Sequence, residues 1–279
     1  MTKHLIRNIA ATIVLAFISS LMSSCAGANI YSKADDVKLG QQMQAQIAAD
    51  PAHYPVLNNP TVTSYCQGIV NTILTSPNIT NKDFNYKVTV INDPKTINAF
   101  SIPGGSIYVY TGLLKFIDNE ATLAGILGHE MTHADKRHAT QQMTQQAEMQ
   151  GIASVLLGRV GDSTTRNIGS VAAGVGAYLG AMRFSRDDER EADANSFTDL
   201  MTIPGRPWYP AAIKYFMVKT LSWDPKGSTA SLANNLATHP PSQERLDNVN
   251  KQASAAHLAD PAEMQLKTAQ LQRIKAMLP

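Results

Sequence analysis

The chain has 279 residues, 44% of them hydrophobic and 16% charged, and a formal net charge of +2. That is enough apolar material for one large folded domain, which excludes a wholly disordered chain, and the lack of any repeating unit excludes solenoids. A charge so near zero argues against a nucleic-acid partner, and two cysteines are too few for a disulfide scaffold.

Lys3, His4 and Arg7 precede an apolar run from Ile9 to Met22, shorter than the roughly 20 residues that span a bilayer comfortably. Ser23 and Ser24 then stand directly before Cys25. This resembles the bacterial lipoprotein cleavage box, with Met22 where Leu is more usual. Residues 1–24 are read as a signal peptide, Cys25 as a lipidated N-terminus and residues 25–31 as a tether. By the same resemblance, Ala26 in place of Asp implies the periplasmic face of the outer membrane. Cleavage would remove Lys3 and Arg7 and leave 22 basic against 22 acidic residues. Cys66 falls in an apolar pattern with Val62, Ile69, Val70 and Ile73, which predicts a buried, inert thiol.

Ser32 followed by Asp35 signals a helix start, with the helix running to about Ala49. Pro60 to about Leu74 has helical period. Asn85–Ile91 alternates as a strand, and Asn98–Ile102 and Ser106–Thr111 read as two strands joined by a turn at Pro103-Gly104-Gly105. A helix begins near Asn119, runs beyond His133 and is expected to continue past Met143. The stretch 151–184 is rich in Gly and Ala, with Gly176 and Gly180 four apart, and reads as helices packed inside the fold. Further helices are expected at Arg186–Met201, Ala211–Leu221 and Gln243–Ala253, with a loop at Gly227–Ser231. A last helix is expected between Asp260-Pro261 and Met277.

His129-Glu130-Met131-Thr132-His133 carries the chemistry. Four helical residues turn about 400° and rise about 6 Å, so both imidazoles project from one face and can grip a single ion. Glu130 is displaced by about 100°, toward a water beside the metal. With seven histidines and seven glutamates in the chain, about 0.004 such motifs are expected by chance. Catalytic zinc needs a third protein ligand. Lys136 and Ala139 stand where a metzincin would have Gly and His, and His138 is off register and expected at the surface. Downstream the sequence holds one Glu-x-x-x-Asp, Glu189 to Asp193. Glu189 is read as the third ligand and Asp193 as the acceptor of a ligand histidine's outer N–H. Glu191 is expected to be solvated or in a salt bridge. Ser106, Ile107, Tyr108, Val109 and Tyr110 are read as an edge strand that pairs with an extended peptide substrate.

Four stretches, Asn98–Gly112, Gly128–His133, Ser185–Asp193 and Thr238-His239-Pro240-Pro241, resemble the HtpX-like and CaaX-prenyl-protease-like family of zinc metallopeptidases, within the gluzincins. The likeness covers about residues 32–253 and is strongest to single-domain periplasmic lipoproteins, leaving 254–279 as a C-terminal helix. It implies an α+β, mainly helical zincin-like domain with a small antiparallel or mixed sheet beside the active-site helix. It implies one zinc per chain on His129, His133 and Glu189, with Glu130 as general base. It also places His239 near the metal, as a donor to the oxyanion, as a gate that ligates zinc at rest, or as a plain loop histidine. The expected partners are unfolded or misassembled envelope proteins, the membrane through Cys25, and outer-membrane assembly machinery. The competing reading is an assembly factor with a gated or little-used protease site; a non-peptide zinc hydrolase fits the strand segment less well.

Overall fold

The computed structural model describes residues 29–156, 183–222, 239–240 and 242–279. The expected signal peptide, Cys25, the Gly176/Gly180 pair and the Gly227–Ser231 loop lie outside the described residues. Helix α1 (Lys33–Ala48) starts on a capping box, Ser32 accepting from the Asp35 N–H and Asp35 from that of Ser32. Helix α2 (Pro60–Ile73) has Asn59 as its cap and proline at its first position. Three short strands follow: β1 (Val88–Ile91), β2 (Ala99–Ser101) and β3 (Ile107–Tyr110). Helices α3 (Thr111–Phe116), α4 (Glu120–Asp135), α5 (His138–Leu156), α6 (Arg186–Thr202), α7 (Ile213–Leu221) and α8 (Gln243–Ala255) come next, then the short α9 (Glu263–Leu266) and α10 (Thr268–Lys275).

The sheet order is β1-β3-β2, with β1 parallel and β2 antiparallel to β3. The expected mixed sheet is present, but β3 is its central strand. Residues 107–110 therefore have no free backbone edge, which overturns their reading as a strand that pairs with a peptide. Ser106 is occupied as well: its Oγ accepts from Gln44 Nε2 at 2.6 Å and so ties down α1.

Both faces of the sheet are covered, and the period of two sorts its side chains between two cores. Val88, Val90, Ala99, Ile107 and Val109 join the larger core with α2, α4, α6 and α7. Phe100, Tyr108 and Tyr110 face the smaller core with Leu39, Met43 and Ile47 of α1 and Met143 of α5. Phe100 and Tyr108 are cross-strand partners with stacked rings 4.8 Å apart. The turn between β2 and β3 uses Gly104 and Gly105 at φ of 78° and 104°, which side chains other than glycine rarely adopt.

Helix α4 is the axis of the molecule. All 16 of its residues are buried, so it has no solvent-exposed face. Its partners are α6, α7, α2 and β2. Gly128 lets α6 approach, since a methyl there would stand 2.7 Å from Ser196 Oγ. The helix does not run on past Met143 as the sequence suggests. Arg137 takes left-handed backbone (φ 63°) and a new helix starts at His138. That conformation costs about 1–2 kcal/mol for an L-residue. The Arg137 side chain offsets it by bonding Asp36 of α1 and the Tyr31 carbonyl. Lys267 (φ 53°) likewise splits the last helix in two. Among the described residues no helix is long and apolar enough to cross a membrane.

Cys66 is fully buried and unpaired, as its pattern predicts, and burial pushes its thiol pKa up to about 12. Holding the thiol neutral favours the folded state below the thiol's unfolded pKa, and this contribution is lost as pH rises from there toward 12. In a chain beginning after Cys25, Cys66 is expected to resist a thiol reagent at pH 8 and to react at once in denaturant. Fast stoichiometric reaction of the native protein would contradict this packing.

Candidate metal centre

Helices α4 and α6 cross where each carries its polar motif. His129 and His133 point from α4 toward Glu189 on α6, and His239 closes the cluster from the segment before α8. One donor atom from each of these four residues lies within 4.8 Å of all the others. The two His Nε2 atoms are 3.1 Å apart, and each is 3.5 Å from a Glu189 oxygen. Tetrahedral coordination with bonds of about 2.0–2.1 Å requires ligand atoms about 3.3 Å apart, so the three residues fit one ion. Glu189 Oε2 is buried and receives no hydrogen bond, although Arg245 Nη1 stands 2.6 Å away as a counter-charge. A buried carboxylate oxygen left in this way suits a cation. The structure thus brings together all three residues that the sequence reading assigns as ligands.

His129 Nδ1 lies 2.9 Å from Asp193 Oδ1, the role expected of Asp193. Arg245 of α8 grips the same carboxylate with two bonds of 2.8 Å and donates to the Pro240 carbonyl at 3.2 Å. Burial pushes the Asp193 pKa up, but Arg245 and His129 outweigh it and hold the carboxyl below its usual value. Glu189 is held far lower, burial being overcome by His239 and by the imidazoles of His129 and His133 beside it. Burial also opposes charge on His129, yet Asp193 and Glu189 raise its pKa to about 9. His133 goes the other way, because burial and the neighbouring imidazoles His129 and His239 prevail over Glu189.

Glu130 Oε2 accepts from the Ser101 N–H of β2 at 3.0 Å, and its other oxygen is 3.5 Å from His239 Nε2. The Glu130 carboxylate is therefore anchored on the sheet. His239 Nδ1 sits 3.3 Å from His129 Nε2 and 2.8 Å from Glu189 Oε1. Thr238 and Pro241 lie outside the described residues.

His138 corrects the sequence reading. It is not at the surface: its side chain is wholly buried, with Nδ1 2.8 Å from Nδ1 of His133. Counting its register along a continuous helix from His133 fails because Arg137 breaks the helix between them. Glu191, expected to be solvated or paired, lies 3.2 Å from His138 Nε2 and is half exposed. Arg245 was not foreseen at all. It stands six residues beyond His239, and no spacing ties it to Asp193.

The model of Peptidase family M48 matches residues 60–253, and the chain belongs to that family of metallopeptidases. The Beta-barrel assembly-enhancing protease of Escherichia coli K12 is 25% identical over 276 residues, covering 91% of this chain and 54% of the relative. Metalloprotease YcaL of the same organism is 30% identical over 179 residues, 62% of this chain and 63% of the relative. The Mitochondrial metalloendopeptidase OMA1 of Saccharomyces cerevisiae is 25% identical over 189 residues, 66% of this chain and 52% of the relative. The chain thus spans between half and two thirds of the length of these curated relatives.

Arg245→Ala leaves Asp193 and Glu189 as buried carboxylates without their counter-charge. It is expected to cost about 3–5 kcal/mol of stability in denaturant unfolding. Arg245→Lys, which cannot make the two-pronged contact, is expected to recover only part of the loss.

Proposed function

We propose that the chain is a zinc-dependent endopeptidase of the bacterial cell envelope that hydrolyses misfolded or misassembled envelope proteins. The observation that carries the reading is the convergence of His129, His133 and Glu189 at tetrahedral spacing beside Glu130. Two nitrogens and a carboxylate oxygen suit zinc, which when bound lowers the pKa of water and polarises a carbonyl. Glu130, fixed by Ser101, accepts the water's proton and hands it to the leaving amine. Asp193 and Arg245 keep His129 in one tautomer and orientation. The envelope setting and the outer-membrane assembly partners draw on the likeness to the assembly-enhancing proteases. The membrane contact draws on the lipid-anchor reading of Cys25, with residues 32–253 as the catalytic domain.

The extended substrate is placed along β2, not β3. Asn98 and Ile102 turn their backbone bonds inward, to Tyr110 and Ser106, so Ala99 and the Ser101 carbonyl face away from β3 toward the cleft, while the Ser101 N–H is held by Glu130. That edge faces a partly open cleft, with Glu130, His129 and Arg245 on one side. Leu113, Ile126, Phe216 and Met217 line the rest, a wall that suits an apolar side chain next to the cleaved bond. Backbone pairing selects little else, which fits a protease acting on unfolded chains.

A second reading has its own support. His239 Nδ1 occupies the fourth corner of the ligand cluster, where hydrolysis needs a water. A site closed in this way is a gated protease, and the chain could act in assembly while its site stays shut.

Metal content and casein cleavage are to be measured on protein starting after Cys25, for wild type and Glu130→Gln. One zinc in each is expected, with cleavage about 10²–10⁴-fold slower in the variant and abolished in both by chelation. Well-folded protein without zinc would refute the reading. His239→Ala is expected to raise casein cleavage by opening the fourth corner. A lower kcat at unchanged KM would instead make His239 a donor to the oxyanion.

A further inference from the structure

We infer that His138, backed by Glu191, is a positioning residue that fixes the outer face of the metal ligand His133. The inference rests on the metal site proposed above. His133 turns Nε2 toward His129 and Glu189, so its Nδ1 carries the proton and donates it outward. The acceptor 2.8 Å away is Nδ1 of His138. An imidazole accepting at Nδ1 carries its hydrogen on Nε2, and Glu191 Oε2 lies 3.2 Å from that atom, with Asp188 Oδ1 at 3.9 Å. One assignment of protons satisfies the whole chain, from His133 through His138 to a carboxylate at the surface.

The cluster therefore has two arms. Asp193, locked by Arg245, holds His129 directly, while His138 and Glu191 hold His133 through a neutral ring. The fold accepts strain to build the second arm. Arg137 takes left-handed backbone between the two residues, and His138 stands with its Nδ1 2.8 Å from that of His133. Phe184 stacks on the His133 ring, centroids 3.9 Å apart, and covers the link from the side. Orientation of a ligand histidine by an outer partner typically changes metal affinity by about 10–100-fold.

The test compares His138→Asn, His138→Gln, His138→Leu and Glu191→Ala with wild type in full-length protein. Asn carries its carbonyl oxygen near the place of Nδ1, whereas Gln carries it about one bond too far and Leu has none. The readouts are zinc affinity by competition with a chromophoric chelator, the melting temperature of the metal-free protein, and kcat and KM on casein. The expected result is zinc affinity about 10–100-fold weaker for Leu and Gln, within about threefold of wild type for Asn, and about 3–10-fold weaker for Glu191→Ala. Metal-free melting temperatures are expected to stay close together, and the loss in cleavage to fall on kcat. Should the Leu variant fail to fold, the Asn and Gln pair decides. Wild-type affinity in Gln, or equal losses in Asn and Gln, would overturn the inference and leave His138 a packing residue. A wild-type chain that binds no zinc would defeat the metal-site reading itself, a distinguishable failure.

Discussion

The two-pronged grip of Arg245 on Asp193 is the contact on which the rest of the centre depends. Glu130, Glu189, Asp193 and Arg245 are each no more than 7% exposed, packed around a helix with no solvent face. Charges withdrawn from water cost several kcal/mol each unless paired and hydrogen-bonded. Arg245 neutralises one carboxylate, approaches a second and holds the Pro240 carbonyl beside His239. One side chain thus joins α6, α8 and the segment that carries His239. It also leaves Asp193 fully charged, so that His129 has a fixed acceptor behind it.

The same economy explains the scaffold. A fully buried α4 needs neighbours on every side, and the sheet, α2, α6 and α7 supply them. Small residues set the closest approach: Gly128 lies against Ser196, whose hydroxyl donates to the Gly125 carbonyl at 2.8 Å. That contact sets how near α6 comes to α4, and with it the 3.5 Å spacing between Glu189 and the histidines. The sheet in turn fixes Glu130 through a backbone N–H of β2. Glu130 and the cluster of His129, His133 and Glu189 are thereby positioned by different layers. At the end of α4, Asp135 accepts from the backbone of Thr80 and Asn81 and holds the helix terminus to the rest of the larger core.

Much of this was legible in the chain before any packing was considered. The helix spacing of His129 and His133 and of Glu189 and Asp193 each put two functional groups on one face, because 3.6 residues per turn is a local property. The Ser32-Asp35 start, the Gly104-Gly105 turn and the apolar stripe around Cys66 are local in the same sense. What was misread turned on relations between segments. His138 was assigned to the surface by extrapolating a helix that Arg137 interrupts, and the interruption is stabilised by Asp36 and Tyr31, about a hundred residues earlier. The strand at 106–110 follows from the turn that precedes it, and a turn reports that two strands exist, not which of them is the edge.

The sequence by itself determined the candidate chemistry: residue types able to ligate a metal, their helical faces, a carboxylate beside them and the buried thiol. Only the tertiary structure decided which strand faces the site, what stands behind each ligand histidine, and where His239 rests. The physical reason is range. Helical periodicity, caps and turns are set by residues within a few positions of one another. Strand order, the Arg245–Asp193 pair and the His133–His138–Glu191 chain come from packing elements far apart in sequence, where the burial of each polar group selects its partner.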